Sequence, residues 1–165
     1  MKLIIGKKER DLYMDLSDCM GCNIRDGKMI PFGGIIYETE NFSLAQDAEV
    51  LLDGFLIIQS KRHVRSIEEL SEEENIELAK LLYKTRKAIK DLNICEQVIL
   101  VQEETSRHFH IWIFPEYDWI KKQFGKGIKY LRDINDYIIA NVTDDDKEKV
   151  LETINKLKDY FKEDK

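Results

Sequence analysis

The sequence predicts an α+β fold, in which short antiparallel strands form a sheet around one long helix and further helices follow the sheet. Two observations support this prediction. Five short apolar segments lie between residues 34 and 114, and a long segment of helical periodicity separates the third from the fourth. The chain after the fifth segment has helical spacing again, so helices are expected beyond the sheet.

The first three strands are predicted from apolar stretches that end in turns. Residues 34–38 form a strand, a short turn follows, and residues 42–47 form its hairpin partner. Asp53 and Gly54 make a strong turn dipeptide, and residues 55–59 after it are expected to form the third strand.

The long helix is predicted to begin after Ser71, whose side chain satisfies a backbone N–H group while Glu74 reaches back in a capping box. Apolar residues then recur at helical spacing, at Leu78, Leu81, Leu82, Ile89 and Leu92. Residues 97–102 and residues 108–114 are expected to form the fourth and fifth strands.

The last helix is predicted to follow Thr143, because three aspartates then stand at the positive end of the helix dipole. Its buried stripe consists of Val150, Ile154, Leu157 and Phe161. Since acids are common at helix N-termini, we interpret the acidic run as a cap and not as a metal site.

Composition limits the class of protein. With 165 residues, 43% hydrophobic and 35% charged, the chain is expected to form one soluble domain over residues 1–165. No apolar run approaches the ~20 residues that span a bilayer, so no membrane is expected as a partner. The apolar segment within residues 1–8 is too short for a signal peptide, and a cytoplasmic location is the resulting expectation.

The charge of the chain limits its partners. A net charge of −6 argues against a nucleic-acid polymer, which needs a broad basic surface. A small nucleotide needs only a few local donors and stays possible. The three cysteines indicate thiols or metal ligands rather than a disulfide framework.

Two of the three histidines lie in the fifth predicted strand. Alternation along a strand places His108, His110 and Trp112 on one face, with the apolar residues between them directed into a core. Imidazoles spaced by roughly 6.5–7 Å can handle phosphate, metal or protons. The alternative is that each histidine is a half-buried aromatic with a satisfied nitrogen.

Cys19 and Cys22 form a C-x2-C pair, which by itself fits a redox pair, a zinc half-site or chance. The redox interpretation is weakened because no βαβ pattern surrounds the pair. Two of the three histidines would complete a Cys2His2 zinc site. The third histidine, His63, follows the third strand in a basic segment with Lys61 and Arg62, which is either a solvated loop or a rim that meets phosphate.

Taken together, four blocks resemble the histidine triad (HIT) superfamily of nucleotide hydrolases and transferases. The blocks are a cysteine pair at residues 19–24, a hairpin at 35–47, a glycine, strand and Lys-x-His segment at 54–63, and a triad strand at 108–115. The resemblance covers residues 19–115, the core, and leaves residues 116–165 as a C-terminal helical extension.

The resemblance implies a HIT-like five-stranded antiparallel sheet with a long helix, here with additional C-terminal helices. It also implies a homodimer whose strands form one continuous sheet. In zinc-containing relatives the cysteine pair, the histidine of the third block and the first triad histidine hold a structural Zn2+. Those residues are Cys19, Cys22, His63 and His108.

For function, the resemblance implies a nucleotide hydrolase or nucleotidyl transferase. Its substrates would be dinucleoside polyphosphates or nucleoside phosphoramidates. His110 matches the histidine that attacks the α-phosphate to give a phosphohistidine, and Asp47 matches the acid that contacts ribose. The other substrate-binding residues expected are Ile35, Ile36, Gln102, Thr105, Ser106 and Trp112.

The chain also departs from the family pattern. Trp112 occupies the third triad position, and an indole cannot transfer a proton at neutral pH. Ser60 replaces a proline, and Glu104 stands where many members have glutamine, with Arg107 nearby to offset its charge. These changes leave a second interpretation, a catalytically weak nucleotide-binding or regulatory protein, and a third, a zinc-stabilised interaction module without a nucleotide site.

Overall fold

The computed structural model describes residues 19–163. Residues 1–18 and 164–165 are not described, so the expectation that the first residues are not a signal peptide lies outside the described range. The helices are α1 (Met20–Arg25), α2 (Glu72–Asp91), α3 (Asp118–Phe124), α4 (Leu131–Asn141) and α5 (Asp144–Glu163). The strands are β1 (Ile35–Glu38), β2 (Phe42–Gln46), β3 (Leu56–Ser60), β4 (Val98–Val101) and β5 (His110–Pro115).

The five strands form one sheet in the order β1-β2-β3-β5-β4, and every neighbouring pair is antiparallel. The predicted α+β class is therefore confirmed. Each strand lies within two residues of its predicted bounds, and the largest difference is in β5. That strand begins at His110 and not at residue 108, so His108 lies just before the ladder.

Both predicted capping motifs are present. Ser71 and Glu74 form a complete capping box at the start of α2. At the start of α5, the backbone N–H of Asp146 donates to the Thr143 hydroxyl over 3.2 Å, while Thr143 N–H donates to the Asp146 carboxylate over 2.9 Å. The acidic run is thus a helix cap, as expected, and none of the described helices is long and apolar enough to cross a membrane.

Helices α2 and α5 cover one face of the sheet. Phe109 and Ile58, both fully buried, pack there with the α5 residues Ile154 and Leu157. Each such side chain contributes about 1.5–3 kcal/mol of burial free energy. At the edge of this layer, the ring of Phe161 stacks on Tyr37 of β1 with centroids 4.6 Å apart.

The other face of the sheet is only partly covered. Helices α3 and α4 pack over one end of it, where Ile120 and Ile134 are buried in one cluster with Phe55 and Phe114. The rest of this face, beside the start of β5, carries polar side chains and borders a cavity. The functional residues predicted from the sequence lie mainly there.

Candidate metal and nucleotide site

Four side chains from distant parts of the chain meet beside the start of β5. The Sγ atoms of Cys19 and Cys22 and the Nδ1 atoms of His63 and His108 lie within 4.8 Å of one another. Three of these residues are buried. The four residues therefore form a candidate metal site. They are the same four that the family resemblance predicts to hold zinc.

The distances between the ligand atoms fit a tetrahedral ion. Zn–S bonds of about 2.3 Å and Zn–N bonds of about 2.05 Å at tetrahedral angles place S and N about 3.6 Å apart and two N atoms about 3.3 Å apart. The four S···N distances are 3.5, 3.2, 3.2 and 3.7 Å, and the N···N distance is 3.3 Å. The protein atoms are thus already arranged as the ion requires.

The protonation of His108 supports the same conclusion. Its Nε2–H donates to the Ser60 carbonyl over 2.7 Å, and a carbonyl can only accept. In the neutral ring Nδ1 then carries a lone pair directed at the cluster, and burial lowers the pKa of His108, which favours this neutral form. Burial also raises the pKa of the Cys22 thiol, so a cation would be needed to stabilise its thiolate.

Gly21, between the two cysteines, is required by the close packing of α1 on His108. A Cβ atom at this position would lie 2.5 Å from the His108 ring, far inside van der Waals contact. The ring is fixed by its bond to Ser60 and cannot move away without leaving the metal site.

We expect Gly21→Ala to weaken zinc binding, because the added methyl group displaces the His108 ring. A loss of about 10- to 100-fold in zinc affinity is the size typical when ligand orientation is disturbed. Competition titration with a chromogenic chelator measures the affinity. Gly27→Ala is the control for a general loss of stability: it strains the backbone at a φ of +68°, but its Cβ would meet no atom within 4 Å and would leave the His108 ring in place. Unchanged affinity in Gly21→Ala would contradict the packing argument.

A cavity of about 230 Å³ adjoins the metal site. Its walls come from α1, the end of β2 and the loop after it, strands β3 and β5, and the loop before His108. The residues that line it are Cys19, Met20, Gly21, Ile24, Ala45, Gln46, Asp47, Ala48, Glu49, Ile57, Gln59, Glu103, Ser106, His108, His110 and Trp112. The metal helix is therefore also one wall of the cavity.

His110 is held in a defined tautomer inside this cavity. Its Nδ1 lies 2.9 Å from the carbonyl oxygen of His108, which can only accept a hydrogen bond. Nδ1 therefore carries the proton in the neutral ring, and Nε2 carries the lone pair. The hydroxyl of Ser106 lies 3.3 Å from the same Nδ1. An imidazole in this state is suited to attack an electrophile through Nε2.

Asp47 lies at the end of β2, buried, with its carboxylate fixed by the backbone. Oδ1 accepts from the N–H groups of Glu49 and Val50 over 3.0 and 2.9 Å. Burial raises the pKa of this carboxyl, and the two backbone donors act in the opposite direction.

Comparison with solved structures shows the same architecture. A zinc-bound histidine triad family protein from Mycobacterium smegmatis superposes with a TM-score of 0.59 at 16% identity, covering 88% of this chain and 99% of that one. A HIT-like protein from Bartonella henselae, described as involved in cell-cycle regulation, gives 0.61 at 16% identity over 90% of this chain and 99% of that one. A HIT family protein from Bacillus anthracis gives 0.54 at 23% identity over 76% and 98%.

The chain has the histidine triad fold. No protein-family model matches the sequence, and a search of curated proteins finds no match, so the likeness is one of structure.

Within this HIT fold, several predicted site residues come together and others do not. Asp47, Ser106, His110 and Trp112 line the cavity. Four predicted substrate-binding residues do not line it: Ile35, Ile36, Gln102 and Thr105. Ile36 instead packs into the core under α5, and Gln102 and Thr105 are exposed.

The basic segment after β3 does not form a phosphate rim on this cavity. Lys61 donates to the Thr39 carbonyl over 2.7 Å, and Arg62 is paired with Glu74 at 2.7 Å. Neither lines the cavity, which favours the interpretation of this segment as a structural loop.

Sequence reasoning missed the α1 residues Met20, Gly21 and Ile24, and also Gln59 and Glu103. Gln59 pairs directly with His110 across β3 and β5, so the strand register brings it into the site. No signal in the sequence marked Gln59, because the register of β3 against β5 is known only from the folded sheet.

Proposed function

We propose that this protein is a nucleotide hydrolase or nucleotidyl transferase that acts at the α-phosphate of dinucleoside polyphosphates or nucleoside phosphoramidates through a phosphohistidine on His110. The observation that carries the proposal is the hydrogen bond from His110 Nδ1–H to the His108 carbonyl, which leaves the Nε2 lone pair for attack. The cavity around it is large enough to admit part of a nucleotide.

In the proposed reaction, Nε2 of His110 forms a bond to the α-phosphorus while the bond to the leaving group breaks. Water then attacks the same phosphorus, the N–P bond breaks, and the nucleoside monophosphate is released. The His108 carbonyl stabilises the positive charge that develops on the ring during attack, because it accepts from Nδ1–H throughout.

The rest of the nucleotide would occupy two parts of the cavity. Met20, Ile24 and Ile57 provide apolar contact for a base. Oδ2 of Asp47 would accept from a ribose hydroxyl, since Oδ1 is already used by two backbone N–H groups.

The metal would be a structural zinc ion held by Cys19, Cys22, His63 and His108. When bound, it ties α1 to the chain around His63 and His108, and it supplies no open coordination position for chemistry. Because Met20 and Ile24 of α1 line the cavity, the same tie would hold the base-binding wall in place.

We further propose a cytoplasmic homodimer whose subunits each form one domain and join through a sheet edge. The edges are β1 and β4, and Leu100 of β4, which is 55% exposed, would be covered if two β4 edges met. The proposed ligand is a nucleotide and not a nucleic-acid polymer or a membrane.

The alternative function is a catalytically weak nucleotide-binding or regulatory protein. Trp112 favours it, because its indole lines the cavity 5.7 Å from the His110 ring and can donate a hydrogen bond but not act as a general acid.

His110→Ala tests the proposal directly. With a nucleoside monophosphate ester of a low-pKa phenol, which needs no proton on leaving, we expect the rate to fall at least about 10³-fold because the nucleophile is lost. The phosphate that stays bound to the denatured protein would be measured in parallel, before and after acid treatment. A phosphohistidine is acid-labile, so this bound phosphate should be lost in acid. Nucleotide binding and thermal melting of the variant control for folding. Equal rates in the wild type and in His110→Ala would contradict the proposed mechanism and favour the alternative, a nucleotide-binding protein.

A further inference from the structure

The charged residues that line the cavity are all acidic. Among residues 19–163, three acidic residues line it, Asp47, Glu49 and Glu103, and no lysine or arginine does. A polyphosphate leaving group brings several negative charges and is normally met by cations. The acidic lining of this cavity would therefore repel a polyphosphate leaving group.

The cations nearest in sequence to the cavity-forming segments do not line the cavity; they are Arg25, Lys61 and Arg107. Nε of Arg65 donates to the Glu104 carbonyl over 2.8 Å, and Nε of Arg25 is paired with Asp26 at 2.7 Å. Their guanidinium groups stabilise loops, and neither residue lines the cavity.

A bound zinc ion would not change the negative charge of the cavity lining. Zn2+ held by the thiolates of Cys19 and Cys22 and by two neutral imidazoles has no net charge. The carboxylates consequently determine the potential that a ligand experiences, whether or not the metal is present.

The carboxylate of Glu103 is held by its own loop. Its Oε2 accepts from the N–H of Thr105 over 2.7 Å, which holds the side chain against its own loop. The same loop supplies Ser106, whose hydroxyl lies 3.3 Å from Nδ1 of His110. Glu103, which lines the cavity, thus lies on the segment whose Ser106 hydroxyl contacts the His110 ring.

We propose that Glu103 is a specificity-determining residue that directs the site toward nucleoside phosphoramidates with a neutral or cationic amine leaving group and against polyphosphates. The inference rests on the proposed function of His110. In the favoured reaction the P–N bond breaks as the N–P bond to His110 forms, and the departing amine nitrogen takes its proton from water. A positively charged group elsewhere on that amine would be attracted by Glu103, and a negative one repelled.

Three substrates with a four-carbon amine and different terminal charge test this inference. They are nucleoside 5′-phosphoramidates of butylamine, of 1,4-diaminobutane and of 4-aminobutyrate, prepared with adenosine and with guanosine, so that the P–N bond stays the same. For the wild type we expect kcat/KM to rank cationic over neutral over anionic, with about a tenfold ratio between the extremes for unit charges several ångströms apart in partly solvated surroundings. The ratio should fall as salt is raised.

Glu103→Gln should reduce this ratio to about threefold or less, since the amide can still accept from Thr105 N–H but carries no charge. The matched control is Glu104→Gln, which removes the neighbouring charge from a residue that does not line the cavity and should leave the ratio unchanged. A dinucleoside tetraphosphate should be a poorer substrate than the neutral phosphoramidate, and should gain most from Glu103→Gln.

The outcomes separate the two proposals. If no substrate is hydrolysed, or His110→Ala hydrolyses them as fast as the wild type, the proposed function is wrong. If hydrolysis depends on His110 but the three substrates react alike, or Glu103→Gln leaves their ranking unchanged, only the role of Glu103 is overturned.

Discussion

Cys19→Ser is expected to lower the zinc content of the protein from about one equivalent to less than about a tenth. The hydroxyl is a far weaker zinc ligand than a thiolate, and a closed four-ligand site depends on all its members. Because the metal binds only the folded site, its loss also removes folding free energy, about 4 kcal/mol if free zinc exceeds the dissociation constant a thousandfold. Elemental analysis of protein purified without added metal, and thermal melting with and without chelator, measure the two effects.

Cys95→Ser is the matched control, because Cys95 is the third cysteine of the chain and lies outside the metal cluster. This variant should retain zinc and the chelator-dependent melting shift. Chelator should lower the melting temperature of the wild type and of Cys95→Ser, but have little effect on Cys19→Ser. A wild-type protein that is metal-free and insensitive to chelator would show that the four side chains meet without holding an ion.

The features that the sequence predicted well are those that depend on neighbouring residues. Ser71 with Glu74, and Thr143 with Asp146, each form a cap within four residues, so their partners could be identified from spacing alone. Alternation likewise placed Phe109 in the core and His110 on the cavity side. The metal residues were harder, since C-x2-C alone left three interpretations open, and family resemblance was needed to choose the two histidines.

The features that the sequence did not predict depend on packing between distant segments. Ile36 was expected at the nucleotide, yet α5, more than a hundred residues later in the chain, covers its face of β1. An irregularity in the register between Ile35 and Tyr37 also changes how this edge strand meets β2. Arg62 pairs with Glu74 at the start of α2, a partner that cannot be deduced from the basic segment itself.

Trp112→His is expected to accelerate substrates with poor leaving groups far more than substrates with good ones. Trp112 lines the cavity two residues after His110 on β5, where a protonatable ring could donate a proton to the leaving group. General acid catalysis is typically worth 10²–10⁴-fold, and only amine or alkoxide leaving groups need it. Rates for a phosphoramidate and for an ester of a low-pKa phenol, measured in the wild type and in the variant, give the comparison.

Trp112→Phe is the control for the space that the smaller ring leaves. The indole packs edge-on against Phe55, with centroids 5.7 Å apart, so either substitution removes part of this contact and should lower stability. Phenylalanine supplies no proton, and it should therefore reproduce the loss of stability without the selective gain in rate.

If Trp112→His and Trp112→Phe change both substrates alike, the leaving group receives its proton from elsewhere. The carboxyl of Asp47, whose pKa is raised by burial beside the cavity, would then be the first residue to test, because a raised pKa keeps a larger fraction of the acid form available.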